Sequence, residues 1–339
     1  MGVLQYTQAY FLLTAFMKKY NWGIIGAGHI ARKFIDGLRL LPNANLYAIA
    51  SASQERADNF KAEFGFEKAF YSYQSMVEDE NLDVVYIATT NNLHFEHTLL
   101  CLKQGKAVLC EKPFASDYPQ VKTMIETARR NNVFLMEALW SRFIPSMIEF
   151  KHQVESGILG KARQLNCSLG FYKEFDPNHR VYALELGGGS LPDIGIYPIF
   201  LALYLFGKPE KIHAVSVPAP TGADWTTVVI FCHKNQKISC LSSSFEVCYD
   251  NNAKVFGEKG ALILERPFHT PTTVAFRNNY GKCTKIPVQN IGNGYNYEAA
   301  EVMRCLDACL IESKEMPHRF SLDLMETIDK VYLAAKGKQ

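Results

Sequence analysis

Trp22-Gly23-Ile24-Ile25-Gly26-Ala27-Gly28-His29-Ile30-Ala31 is the stretch on which the reading of this chain turns. A short apolar run stops at a glycine-spaced turn, and the apolar positions then take up a helical rhythm through Ile30, Phe34 and Leu38. Trp22 to Ile25 reads as a buried strand, with a helix opening directly off the turn. In G-x-G-x-x-A the first glycine permits the tight turn, the second lets a pyrophosphate approach the backbone, and small Ala31 lets helix and strand pack closely. The helix start adds unpaired N–H groups and a positive dipole end. A plain tight turn would use the same glycines. The position after a strand and before a helix favours a dinucleotide site formed by Gly26, Gly28, His29 and Ile30.

Working outward, strands and helices alternate. Leu46–Ala50 and Asp83–Ala88 read as strands, as do the short runs Ala107–Leu109 and Phe134–Met136; Glu55–Phe64, His94–Gln104 and Asp117–Arg130 read as helices. Such alternation requires a parallel sheet covered on both faces, so residues 17–140 are expected to form a doubly wound Rossmann domain of α/β class. Residues 141–339 change rhythm. After a helix over Pro145–Glu155, strands are expected over 161–172, 211–217, 226–232, 237–245, 261–265 and 272–276. A long apolar helix, Leu191–Phe206, interrupts them, and helices over Tyr297–Glu312 and Leu322–Ala335 close the chain. The second domain is thus expected to be α+β, an open and mainly antiparallel sheet, with the last helix packing back on the first domain. Residues 1–16 are set apart as an N-terminal extension. Their apolar run, Phe11–Phe16, is short for a signal-peptide core, and Met17 begins a sequence that reads cleanly by itself.

The 339 residues suit two domains. Thirty-six basic side chains against 34 acidic ones give a net charge of +2 with no basic block, which argues against nucleic acid as a partner. No run is long enough to suggest a membrane partner. The nine cysteines are scattered without CxxC spacing, which reads as free thiols in a reducing cytoplasm and not as a disulfide or zinc framework. His94 and His97 share a helix but have no clear third ligand, so no metal site is expected.

Three segments carry chemistry. At the tip of the second strand, Ala50-Ser51-Ala52-Ser53-Gln54-Glu55-Arg56 offers hydroxyls and an arginine where NAD-specific folds place an acid. Ser51, Ser53 and Arg56 would suit a 2′-phosphate, so NADP is favoured, while Glu55 keeps NAD open. Glu111-Lys112-Pro113 follows a short strand at the ligand-binding end of such a sheet; on its own it would be a surface turn. In Gly187-Gly188-Gly189-Ser190-Leu191-Pro192-Asp193-Ile194-Gly195-Ile196-Tyr197, Asp193 and Tyr197 are spaced i,i+4 on an apolar helix and share a face. A dipole contact by Asp193 and a core tyrosine would explain the same pattern.

Together these residues resemble the Gfo/Idh/MocA oxidoreductases, from Tyr20 to the C-terminus. The resemblance rests on Gly26–Ala31, Ala88–His94, Gly105–Pro113, Asp193–Tyr197 and Gly294–Glu298. Many members carry histidine where this chain has Tyr197. Tyrosine there, with Met136–Phe143, is similar to the branch of dimeric dihydrodiol dehydrogenases and NADP-linked D-xylose dehydrogenases.

The resemblance implies hydride transfer between nicotinamide and a CH–OH carbon of a sugar, polyol or cyclic trans-diol. Tyr197 would be the acid/base, Lys112 the cation that favours its phenolate, and Asp193 the group that orients them. It places Thr89, Asn91, His94 and Glu111 along the cofactor; His94 could equally be a helix-start histidine bonded to backbone. Trp140 and Arg142 are expected to line the substrate pocket, with interdomain packing the competing reading for Trp140. A homodimer or homotetramer through the second sheet is implied as well. The alternative function is a non-catalytic NAD(P)-binding sensor of the same fold.

Overall fold

The computed structural model describes residues 18–337; the extension expected at 1–16 lies outside them. The first domain comprises β1 (Tyr20–Ile25), α1 (His29–Leu38), β2 (Ala44–Ala50), α2 (Gln54–Phe64), β3 (Lys68–Phe70), α3 (Tyr73–Val77), β4 (Val84–Ile87), α4 (His94–Lys103), β5 (Ala107–Glu111), α5 (Tyr118–Asn131) and β6 (Leu135–Ala138). Its six strands run in the order β3-β2-β1-β4-β5-β6 and all pair in parallel. The strand order reverses between β1 and β4, the place where a doubly wound sheet opens a crevice at its carboxyl edge. Ile25 lies opposite both Ala50 and Ile87, so the turns after β1, β2 and β4 meet at that crevice.

The second domain follows with α6 (Pro145–Glu155), β7 (Ala162–Gly170), a π-helical turn over Leu191–Gly195, α7 (Ile196–Phe206), β8 (Lys211–Pro218), β9 (Asp224–His233), β10 (Lys237–Ser244), β11 (Ala253–Gly257), β12 (Gly260–Leu264), β13 (Val274–Asn278), β14 (Cys283–Ile286), α8 (Tyr295–Asp307) and α9 (His318–Ala335). The eight strands order as β14-β13-β12-β11-β7-β10-β9-β8. Only β7 and β10 pair in parallel, so the sheet is mixed and mainly antiparallel. The apolar α7, buried from Ile196 to Leu203, covers one face.

Three-residue β3 and the outer strands β11 and β14 carried no clear period-two signal. Nor does α8 run to Glu312 as expected: it ends at Asp307, because Cys309 takes a positive φ of 51° and Leu310 turns its N–H back to Cys305. The last two helices tie the domains together. α8 packs on α1 at Gly37, where a Cβ would come within 2.8 Å of the Tyr295 Cβ and the Asn296 N. Tyr20 donates to Asp307 at 2.7 Å, and Asp329 of α9 accepts the N–H of Tyr118 at 3.0 Å.

Candidate active site

A cleft of about 710 Å³ opens along the carboxyl edge of the parallel sheet, lined by Gly26–Ile30, Ser51, Arg56, Thr89–Asn91, His94, Glu111 and Lys112 from the first domain. His179, Arg180, Leu186 and Asp193 close it from the second. Gly26 has φ +104°, and a Cβ there would sit 2.7 Å from the Ala88 carbonyl oxygen, so the turn admits only glycine. A Cβ on Gly28 would meet nothing within 4 Å and would project into open space. The backbone is bare where a diphosphate would have to come close, and α1 starts without a side-chain cap on its N–H groups. The chain therefore fits a dinucleotide.

At the far end of the cleft, Ser51 and Arg56 line the wall, as expected for an adenosine end. Ser53 does not. Its hydroxyl accepts the N–H of Arg56 at 3.3 Å and caps α2, the ordinary use of serine at that position. His94 begins α4 fully buried, with Nδ1 2.8 Å from the Pro113 carbonyl and Nε2 3.2 Å from that of Thr89. It ties the loop after β4 to the loop after β5, and burial pushes its pKa down to about 4. The Thr89 hydroxyl meets Nδ1 of His97 at 3.1 Å, a contact the sequence did not suggest. Asn91 bridges the two domains by donating to the Gly187 carbonyl at 3.2 Å.

At the inner end, three expected residues converge. Lys112 Nζ donates to the Asp193 carbonyl at 2.7 Å and to its Oδ1 at 3.2 Å, and lies 5.2 Å from the centre of the Tyr197 ring. The π-helical turn carries Asp193 on the wall opposite Lys112, consistent with the tendency of such turns to mark functional sites. Arg180, in the loop after β7, pairs with Asp193 Oδ2 at 3.3 Å. Burial alone would raise the Asp193 carboxyl, but Lys112 and Arg180 outweigh it and hold the group below the usual carboxylate range. Burial likewise pulls Lys112 down, yet Tyr197, Asp193 and Glu111 keep its ammonium charged.

Tyr197 departs from expectation. Burial pushes its hydroxyl up to about 12, the opposing pull of Lys112 being too small to reverse this, and Glu111 adds to the rise. Lys112 spends its donors on Asp193 and leaves the phenol neutral. Trp140 lies within the site: its Nε1 donates to the Tyr197 hydroxyl at 2.8 Å, and its ring stacks on Tyr295 with centroids 4.5 Å apart. Both readings of Trp140 thus hold at once, since Tyr295 starts the interdomain helix α8. Arg142 points elsewhere. Its guanidinium sits 4.5 Å from the ring centres of both Tyr204 and Phe320, and its Nε donates to the Glu315 carbonyl, so it packs helices instead of lining the cleft.

Behind this constellation lie groups that sequence reasoning missed. Glu111 accepts from the Tyr86 hydroxyl and from the Lys112 N–H, the latter at 3.1 Å. Buried Asp224 accepts from Ser190 Oγ at 2.8 Å, Leu191 N at 2.6 Å, Thr227 Oγ1 at 3.2 Å and Tyr332 at 3.1 Å, and so fixes the start of the π-helical turn. A Cβ on Gly189 would fall 2.3 Å from Asp224 Oδ1, which accounts for the third glycine of the run. Among the described residues, no group of three His, Cys, Asp or Glu side chains is placed to hold a metal.

Residues 20–139 match the Gfo/Idh/MocA model described as an oxidoreductase family with an NAD-binding Rossmann fold, and residues 147–263 match the C-terminal domain of that family. The chain belongs to the Gfo/Idh/MocA oxidoreductases. Among curated relatives, trans-1,2-dihydrobenzene-1,2-diol dehydrogenase of Mus musculus is 35% identical over 91% of this chain and 95% of its own. The Homo sapiens protein of the same name is 33% identical over 92% and 95%. Aldose-aldose oxidoreductase from Caulobacter crescentus shares the fold with a TM-score of 0.86 at 23% identity, covering 95% of this chain and 99% of that one. The NADP complex of KijD10, a 3-ketoreductase from Actinomadura kijaniata, also gives 0.86, at 24% identity and with coverage of 94% and 98%. Sequence relatives and structural neighbours are thus oxidoreductases throughout, as the Gly26–Ala31 turn led one to expect.

Proposed function

We propose that this Gfo/Idh/MocA protein is a dehydrogenase, with NADP favoured over NAD, acting on a CH–OH carbon of a cyclic trans-diol, sugar or polyol. The observation that carries the reading is the meeting of Lys112 from one domain with Asp193 and Tyr197 from the other, at the end of a cleft shaped for a dinucleotide. The nicotinamide, when bound, supplies the hydride acceptor or donor.

The chain's own residues handle the proton. Trp140 already donates to the Tyr197 oxygen, so the hydroxyl hydrogen of Tyr197 is free to point at a substrate oxygen. As a neutral phenol, Tyr197 protonates a carbonyl oxygen during reduction. Oxidation needs the phenolate, and a pKa raised to about 12 makes oxidation accelerate toward alkaline pH. Lys112, kept charged, stabilises negative charge on Tyr197 or on the substrate oxygen; Asp193 holds the lysine in place. Ser51 and Arg56 supply the preference for a 2′-phosphate.

The test is absorbance of the reduced cofactor with NADP or NAD and a panel of trans-cyclohexane-1,2-diol, D-xylose and D-glucose. Turnover with one of them supports the reading; cofactor binding without turnover on any of them in either direction points to the sensor. We further propose that a second copy covers the sheet face formed by β8, β9 and β10. Val215, Val217, Val228, Ile230 and Ile238 are 41–69% exposed there and form a continuous apolar strip. Sedimentation should give a dimer or tetramer that Ile230→Glu dissociates, and a wild-type monomer refutes it.

A further inference from the structure

Beside Tyr197 and Trp140 stands a side chain with no assigned task. His269 follows the loop after β12, and its backbone carbonyl accepts from Ser141 Oγ at 2.6 Å, which ties it to the segment carrying Trp140. Its ring lies 4.7 Å from the Tyr197 ring, tilted by 38°, and stands edge-on to Trp140 at 6.1 Å. Nδ1 is sealed from solvent, and neither ring nitrogen has a hydrogen-bond partner among the described residues. Buried polar atoms are nearly always paired, so an unpaired imidazole against the proton-transfer tyrosine calls for a ligand. It is also uncharged: burial pushes its pKa down to about 3, with Lys112 and Lys33 repelling the extra proton. A neutral imidazole offers one N–H and one lone pair, the complement of a hydroxyl.

We propose that His269 hydrogen-bonds the hydroxyl on the carbon next to the reacting one, so that the site selects vicinal diols. The inference rests on the dehydrogenase reading above and narrows its substrate class. Tyr197 takes the reacting oxygen and His269 its neighbour, a pairing that cyclic 1,2-diols and sugars share and a simple secondary alcohol lacks. A pocket built to bond a hydroxyl discriminates strongly against an analogue without one, because its polar group is then left buried and unpaired.

Trans-cyclohexane-1,2-diol and cyclohexanol differ only in that second hydroxyl, so the experiment compares kcat/KM for the two with NADP. Wild type should favour the diol by about tenfold or more. His269→Phe keeps the ring but removes both nitrogens; it should lose about tenfold on the diol and little on cyclohexanol, which collapses the ratio. His269→Asn, which retains a donor and an acceptor, should restore part of the ratio. The pH profile on cyclohexanol should be unchanged in both variants, since His269 does not titrate in the working range. Equal wild-type rates on the two alcohols overturn the proposal, as does an unchanged ratio in His269→Phe. Turnover of neither alcohol nor any sugar, in contrast, overturns the dehydrogenase reading and this inference with it.

Discussion

The catalytic wall of the second domain hangs on one buried carboxylate, and removing it should cost both stability and turnover. Asp224 takes four donors, and the two that matter most are the Leu191 N–H at 2.6 Å and the Tyr332 hydroxyl at 3.1 Å. In Asp224→Ala, Thr227 keeps its partner Ser216 at 2.8 Å and Ser190 keeps Ser243 at 3.0 Å. Leu191 N–H and Tyr332 OH are stranded. A buried donor left without a partner costs about 1–3 kcal/mol, so the pair amounts to about 4 kcal/mol. Asp224→Asn should lose far less, since one amide oxygen can still face Leu191 and Ser190. Urea unfolding followed by tryptophan fluorescence is a suitable assay, because Trp225 adjoins the substitution. In the folded alanine variant kcat should drop while NADP affinity stays near wild type, because the diphosphate turn belongs to the other domain. A loss below about 1 kcal/mol, or unchanged kcat, would refute the claim that Asp224 fixes the π-helical turn.

Two further outcomes are expected. Arg56→Ala should weaken NADP binding by about tenfold or more and leave NAD nearly untouched, which fluorescence titration of the two cofactors checks; equal losses for both would remove Arg56 from 2′-phosphate recognition. Acid should destabilise the fold below neutrality. Burial holds His94 and His233 down to about 4, against an ordinary value of 6.5, so the native state binds fewer protons and stability present above pH 6.5 is lost on the way to pH 4. Glu137, pushed up to about 7 by burial, works in the opposite direction and gives back about half. The net loss between pH 6.5 and 4.5 should be about 3 kcal/mol, measured by urea titration across pH, and His94→Asn should flatten it. A flat stability profile over that window would contradict the burial of these imidazoles.

The first domain was legible because β1, β4 and β5 are buried on both faces and read as continuous apolar runs, while the turn after β1 admits only small residues at Gly26 and Ala31. Lys112, Asp193 and Tyr197 could be named because each stands in a short fixed context. What the sequence hid depends on tertiary closure. Arg180 and His269 sit in loops of the second domain, where no periodicity marks the direction of a side chain. Ser53 and Arg142 offered plausible chemistry but were taken by local needs, a helix cap in one case and two aromatic rings in the other. The charge state of Tyr197 was read from its neighbour alone, and the burial that outweighs Lys112 appears only once α7 is packed.

The central claim is that Tyr197 moves the proton. The most direct measurement is turnover of Tyr197→Phe beside its NADP dissociation constant, on whichever alcohol the wild type oxidises. The account predicts a fall in kcat of about a hundredfold or more with cofactor affinity changed by less than about twofold. Turnover close to wild type in that variant would contradict it.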